Sequence, residues 1–200
     1  MHYMSESASS GVREVRRRET ARRIHDSAQE LADTHGLDGF SMEDLATSAG
    51  VSRRTLFNYF PGKDAAVLGD PLVLDPDLTD RFVAGGPTGH LVDDLVALVE
   101  PALLDETINP SDVARFRRLM AAEPRLVALA HQRFEEMGAG LLEMVAAREG
   151  KAHDPLRARI VIHMLAALFD ISVTAFIEDP QRPFPDLYRA VIERARSAFA

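Results

Sequence analysis

FSMEDLATSAGVSRRTLFNYF, running from Phe40 to Phe60, holds two helix starts of one design. Ser41 is placed as an N-cap whose hydroxyl accepts the N–H of Asp44, with Phe40 before it and Leu45 after it positioned to close an apolar staple. Ser52 repeats the arrangement with Val51, Thr55 and Leu56. Gly50 stands between the two, where the first short helix must end on a residue that tolerates positive φ. Two short helices joined by a tight glycine turn make a helix-turn-helix.

The second of these helices has two unlike faces. Leu56 and Phe60 share one side and must pack inward against Leu45, Ala46 and the preceding helix. The opposite side presents Arg54 and Asn58, flanked by Thr55 and Tyr59, with Arg53 at the N-terminal tip. Arginines at the start of such a helix suit guanine, because the guanidinium fork matches the O6 and N7 acceptors in the major groove. Thr55 can meet a thymine methyl or a phosphate. Tyr59 and Lys63 suit phosphate, and Lys63 adds charge at the start of the next helix.

Charge is distributed to match. The chain carries a net −8, yet residues 1–63 hold nine basic and nine acidic side chains, so the excess lies wholly beyond them. Arg13, Arg16, Arg17, Arg18, Arg22 and Arg23 face only Glu14 and Glu19 in their own segment. A basic end on an acidic body is the asymmetry of a protein that brings one end to a polyanion.

Outward from the motif, helical periodicity dominates and the fold class is all-α. Ile24, Ala28, Leu31 and Ala32 make an apolar stripe on a helix expected from about Val12 to His35, stopped by Gly36. Residues 1–12 read as a disordered tail, 13–68 as the DNA-binding domain and 69–89, crowded with Pro and Gly, as a connector. A larger helical domain is expected over 90–200. Its helices are placed near 90–106, 111–122, 124–149, 155–178 and 185–199, several opening on a proline.

From about Arg18 to Val67 the order Ile24, Ala28, Leu31, His35-Gly36, then Gly39-Phe40-Ser41, Asp44-Leu45-Ala46, Ala49-Gly50-Val51-Ser52, Thr55-Leu56-Phe57, Tyr59-Phe60 and Lys63 resembles the N-terminal domain of the TetR/AcrR family of regulators. The resemblance covers about a quarter of the chain and implies a three-helix DNA-binding head with a ligand-binding, dimerising helical body. Carried over by position, it places Arg53, Arg54 and Thr55 at bases and Phe57, Asn58, Tyr59 and Lys63 along the backbone. Phe57 departs from the tyrosine found in many members and loses a hydroxyl that could bond phosphate. The resemblance also implies that the last two helices pair with their copies across a twofold axis. A homodimer on a palindromic operator in double-stranded DNA follows from that.

The C-terminal part is less explicit. Residues 160–177, IVIHMLAALFDISVTAFI, are apolar nearly all round, which predicts a helix buried on several sides. Asp170, His163 and the flanking Arg157, Arg159, Glu178 and Asp179 speak against a membrane span. His163, Asp170 and Thr174 form a polar stripe that either finds partners within the protein or lines a pocket. Phe116, Met120, His131, Phe134 and Met137 join them as candidate ligand-binding residues, being pliable and apolar enough for a mainly apolar small-molecule effector. No cysteine is present, the histidines lack metal-ligand spacing, and no nucleophile-elbow, zinc-hydrolase or phosphate-loop pattern occurs, so neither an enzyme nor a cofactor or metal is expected. The first residues lack the apolar core of a signal peptide, and a cytoplasmic protein is expected. The reading is a transcriptional regulator, a repressor released by its effector. An activator or ligand-independent DNA-binding protein is the alternative, and a helical enzyme or carrier is more remote.

Overall fold

A computed structural model describes residues 4–103, 110–179 and 181–199. Among them the regular structure is entirely helical: α1 (Met4–His35), α2 (Met42–Ser48), α3 (Arg53–Tyr59), α4 (Lys63–Leu68), α5 (Pro76–Val83), α6 (Leu91–Leu103), α7 (Pro110–Ala122), α8 (Pro124–Glu149), α9 (Pro155–Glu178) and α10 (Phe184–Phe199), with one-turn 3-10 segments at Leu37–Gly39 and Gly150–Ala152. The all-α expectation holds.

Two departures concern where helices begin. The tail expected over 1–12 is helical from Met4, residues 1–3 lying outside the described chain. No proline precedes Pro61, and the one glycine in that segment, Gly11, costs a helix only about 1 kcal/mol, too little to stop it. The connector expected over 69–89 contains α5. Asp75 caps it by accepting the N–H groups of Asp77 at 2.8 Å and Leu78 at 3.2 Å, and Pro76 occupies the first helical position, where its missing N–H costs nothing. The last three residues of the helix expected over 90–106 lie outside the described chain.

The chain forms two compact units. The first comprises the chain up to Pro71 together with Arg115–His131. Its core gathers Ile24 and Ala28 of α1, Leu37, Leu45 of α2, Leu56 of α3, and Ala66 and Val67 of α4, all with no exposed surface. Leu119 of α7 and Leu126 of α8 complete the same cluster. Polar links follow them: the Glu123 carboxylate accepts the Leu37 N–H at 3.0 Å, Arg118 reaches Asp33 at 2.8 Å, and Arg125 reaches Asp38 at 2.9 Å.

The second unit comprises Leu72–Ala114 and the chain from Gln132 onward. One core cluster joins Phe82, Leu95, Leu98, Leu141, Val145, Ala158 and Ile162. Another sits where α9 meets α10, with Phe169 and Phe176 edge-on to Phe184 at 5.6 and 5.5 Å between ring centroids. Tyr188 is fully buried beside them, and desolvation, with the Glu100 charge adding to it, pushes its phenol up to about 12.

Between α5, α6 and α8 lies a buried ion pair. Arg148 donates to the Phe82 carbonyl at 2.7 Å, to Gly86 at 3.1 Å, to Gly85 at 3.2 Å and to the Asp94 carboxylate, with its guanidinium 4.8 Å from the Phe82 ring centroid. Asp94 also accepts from the Thr88 N–H and hydroxyl, both at 2.7 Å, and from the Gly89 N–H at 3.1 Å. Burial pushes the Asp94 carboxyl up, but the hydrogen bonds from Thr88, Arg148 and Gly89 outweigh it and hold the group below the ordinary carboxylate range. A depressed acid contributes stability that is complete above about pH 4 and lost as pH falls through its folded value. Arg148→Leu leaves a buried carboxylate and three carbonyls without their donor, so urea unfolding at neutral pH should show a loss of about 3–5 kcal/mol. The gap to wild type should narrow on acidification, as protonation relieves the stranded Asp94. A variant as stable as wild type would mean that the clamp holds nothing.

Candidate nucleic-acid interface

The geometry of α2 and α3 follows residue by residue from their caps. Ser41 and Asp44 form a reciprocal capping box: the Asp44 N–H donates to the Ser41 hydroxyl oxygen at 3.2 Å, and the Ser41 N–H and hydroxyl donate to the Asp44 carboxylate at 2.9 and 2.7 Å. Those bonds from Ser41 hold the Asp44 carboxyl below its ordinary value. Ser52 accepts the Thr55 N–H at 3.0 Å, and the two hydroxyls lie 2.7 Å apart. The turn between is a Schellman motif. Gly50, at φ 62°, donates to the Thr47 carbonyl at 3.1 Å and Val51 donates to Ala46 at 2.9 Å.

Those constraints leave α3 with Leu56 and Phe60 at 0% and 2% exposure on its inner side. Arg53, Arg54, Phe57 and Asn58 are exposed, while Thr55 and Tyr59 are half-buried at the edges. Arg53 lies 3.7 Å from Glu43 and 5.7 Å from the Phe57 ring centroid. Phe57 is 45% exposed, so it does not serve as an inner packing residue. Tyr59 is covered by the guanidinium of Arg17, 5.9 Å from its ring centroid. Chemically, the outward face offers two guanidinium forks and an amide, all hydrogen-bonding groups that can read base edges or grip phosphates.

Lys63 is less open than its position in the sequence suggests. Its ammonium donates to the Phe40 carbonyl at 3.0 Å, lies 5.2 Å from the Phe40 ring centroid and 4.0 Å from Asp38. The group therefore also ties the entry of α2 to the start of α4. Nothing in the spacing of Lys63 from Phe40 signals this. The stacking of Arg17 on Tyr59 is equally hidden, since Arg17 is only one of six arginines in a run.

The candidate ligand residues fall in both units. Phe116, Met120 and His131 belong to the first unit, where Met120 packs against the core and His131 is exposed. Phe134, Met137, His163, Asp170 and Thr174 belong to the second. There the Phe134 and His163 rings meet at 6.1 Å, and Met137 packs against the core of α5, α6, α8 and α9. The expectation that 160–177 is buried on several sides is not met within the chain. Ile160, Met164 and Ile171 are 50%, 41% and 52% exposed, and His163 and Asp170 are exposed too. The hydroxyl of Thr174 donates to the Asp170 carbonyl at 3.0 Å. An apolar composition on all sides predicts contact on all sides, but one chain supplies it on only one.

Two family models match the chain. Residues 24–68 match "Bacterial regulatory proteins, tetR family" and residues 95–200 match "MftR C-terminal domain". Among curated proteins, a Mycobacterium tuberculosis protein that carries the name mycofactocin biosynthesis transcriptional regulator MftR is 46% identical over 55 residues, covering 28% of each chain. The HTH-type transcriptional regulator EthR of Mycobacterium tuberculosis is 35% identical over 94 residues, covering 42% of this chain and 44% of the relative. The matches thus span less than half the length of these relatives. Among solved structures, native NalD, described as the secondary repressor of the MexAB-OprM multidrug efflux pump in Pseudomonas aeruginosa, superposes with a TM-score of 0.55 at 20% identity. That superposition covers 88% of this chain and 94% of NalD, a likeness of fold.

The turn glycines make separable predictions. A Cβ at Gly50 meets nothing within 4 Å, so Gly50→Ala should cost only the strain of positive φ, about 1 kcal/mol. Gly69, at φ 80°, would place its Cβ 3.1 Å from Nδ1 of His25, a ring that donates to the Ala66 carbonyl at 2.9 Å. Gly69→Ala should therefore cost distinctly more in urea unfolding. Equal costs would show that His25 yields freely.

Proposed function

Because the chain belongs to the TetR family of bacterial regulators, with a C-terminal half of the MftR type, we propose that it is a sequence-specific repressor of transcription that works as a homodimer. The observation that carries this is the outward face of α3: Arg53, Arg54 and Asn58 stand exposed opposite the fully buried Leu56, on a helix whose start is fixed by the Ser52 cap. In the major groove, Arg53 and Arg54 read base edges and Thr55 meets a thymine methyl. Phe57, Asn58, Tyr59 and Lys63 lie along the sugar–phosphate backbone, with Lys63 dividing its donors between phosphate and the Phe40 carbonyl.

Dimerisation uses α9. Leu156, Ile160, Met164 and Ile171 follow one another at helical spacing and are 67%, 50%, 41% and 52% exposed. An apolar stripe of this length is favourable only when another surface covers it. At 24 residues and a mean hydropathy of 2.2, α9 meets the length and composition of a membrane span. His163 and Asp170 beside the stripe, four charged residues at its ends and the packing of its other side on α10 favour a second copy of the chain instead. A twofold dimer presents two copies of α3 to two half-sites of a palindromic operator, about 34 Å apart. The protein then acts in the cytoplasm, without membrane attachment and without catalysis.

Release is by population shift: an apolar effector, held near Phe134, Met137 and His163, favours a spacing of the two heads that no longer fits adjacent major grooves. His163, Asp170 and Thr174 flank the apolar stripe, so in the dimer they border the interface.

Selection of duplexes from a random pool by the full chain tests the DNA reading. Arg53→Ala or Arg54→Ala should weaken the enriched duplex by about 1–3 kcal/mol and relax preference at one position per half-site. Failure of the wild type to enrich any sequence would end the proposal. For assembly, Ile160→Asp with Ile171→Asp should yield a folded monomer by light scattering at micromolar concentration, whereas wild type should be a dimer. A monomeric wild type would remove the two-half-site operator.

A further inference from the structure

Steps of four and three residues along α1 put Arg13, Arg17, Ala21, Ile24 and Ala28 on one side of the helix. Ala21, Ile24 and Ala28 are buried at 5%, 0% and 0% exposure, so this is the side that packs on the core. One and two turns earlier the same side carries Arg17 and Arg13, both exposed. Two of the six arginines in the run thus continue the core-facing side beyond the core itself. Here that side looks toward α3, because Arg17 lies over the ring of Tyr59, the last residue of α3. Arg13 sits one turn farther out, about 6 Å along the helix axis. Arg16 and Arg18 are exposed alongside. From the start of α1 to Ala28 the acidic groups are Glu6, Glu14, an exposed Glu19, and Asp26, which lies 4.0 Å from Arg22.

We propose that this overhanging start of α1 is a second DNA-binding element, in which Arg13 and Arg17 grip phosphates on the strand that flanks the groove occupied by α3. The proposal rests on the reading of α3 as the recognition helix and adds to it a foothold outside the helix-turn-helix. The guanidinium fork binds two phosphate oxygens at once, and its charge displaces counterions from the duplex. Arg17 is held in place by the Tyr59 ring, so α3 and α1 present a single continuous surface, with base-reading groups at one end and phosphate-binding groups at the other.

The test compares the full-length wild type with the Arg13→Ala/Arg17→Ala and Arg13→Lys/Arg17→Lys pairs and with Arg53→Ala. Each is titrated with the duplex enriched by wild type and with a random duplex of equal length over a range of salt. The alanine pair should weaken both duplexes by the same factor and flatten the plot of log affinity against log salt by about 0.9 for each phosphate that is no longer neutralised. The lysine pair should keep the wild-type slope. Trimming base pairs outside the enriched half-sites should weaken wild type and leave the alanine pair unchanged. An alanine pair with the wild-type slope overturns the proposal and leaves Arg17 as a cover for Tyr59. Loss of preference at an unchanged slope overturns it too, since the arginines would then read bases. If wild type binds and Arg53→Ala loses preference, these failures concern α1 alone. If wild type enriches no duplex, the recognition-helix reading falls and takes this inference with it.

Discussion

Leu56 and Phe60 have almost no exposure to solvent, and that single constraint orients everything else at the DNA-facing end. A helix of seven residues has no stability of its own, so α3 exists only while one side is pinned against α1 and α2. Once that side is committed, the rotation of the helix is settled, and Arg53, Arg54 and Asn58 can point only outward. The caps at Ser41 and Ser52 and the positive φ of Gly50 set where the two helices start and stop. Core packing sets which way the second one faces. Precision of the outward groups is therefore inherited from the burial beneath them, as it is for any site whose supports are better fixed than the site itself.

The head was legible because its signals are local. A serine three residues before its backbone partner, a glycine after the last helical residue and apolar side chains at helical spacing are all visible within a few positions. The structure has each of them where the spacing puts it. What escaped the sequence is contact across distance. Lys63 reaching the Phe40 carbonyl, Arg17 covering Tyr59 and Arg148 spanning α5, α6 and α8 each join residues whose separation carries no periodic signature. The prolines misled in one place: Pro76 looks like a breaker in a Pro- and Gly-rich stretch, yet it opens a helix because Asp75 precedes it. Hydrophobicity misled in another, since the sequence of α9 says that its surface is to be covered but not by which chain.

The second unit shows two uses of polar groups next to apolar ones. Arg148 and Asp94 are buried, with side chains 7% and 0% exposed, and the hydrogen bonds around them outweigh the cost of burying charge. His163 and Asp170 lie on the open side of α9, exposed in the single chain. The first arrangement belongs to the fixed architecture of α5, α6 and α8. The second borders an exposed apolar stripe, and in the proposed dimer polar groups there can set the register of an apolar interface that would otherwise slide.

Leu119 and Leu126 belong to the core around α1–α4, although more than forty residues separate them from the end of α4. During synthesis, then, the recognition helix is made long before the last side chains that close its supporting core. The chain up to Pro71 emerges before Leu119 and Leu126, so its core is at first without the two leucines contributed by the corner between α7 and α8. The ribosome must release that corner before the head reaches its complete core, and by then most of the chain is already translated. A nascent fragment that stops short of this corner carries the whole outward face of α3 yet lacks two leucines of the core that supports it.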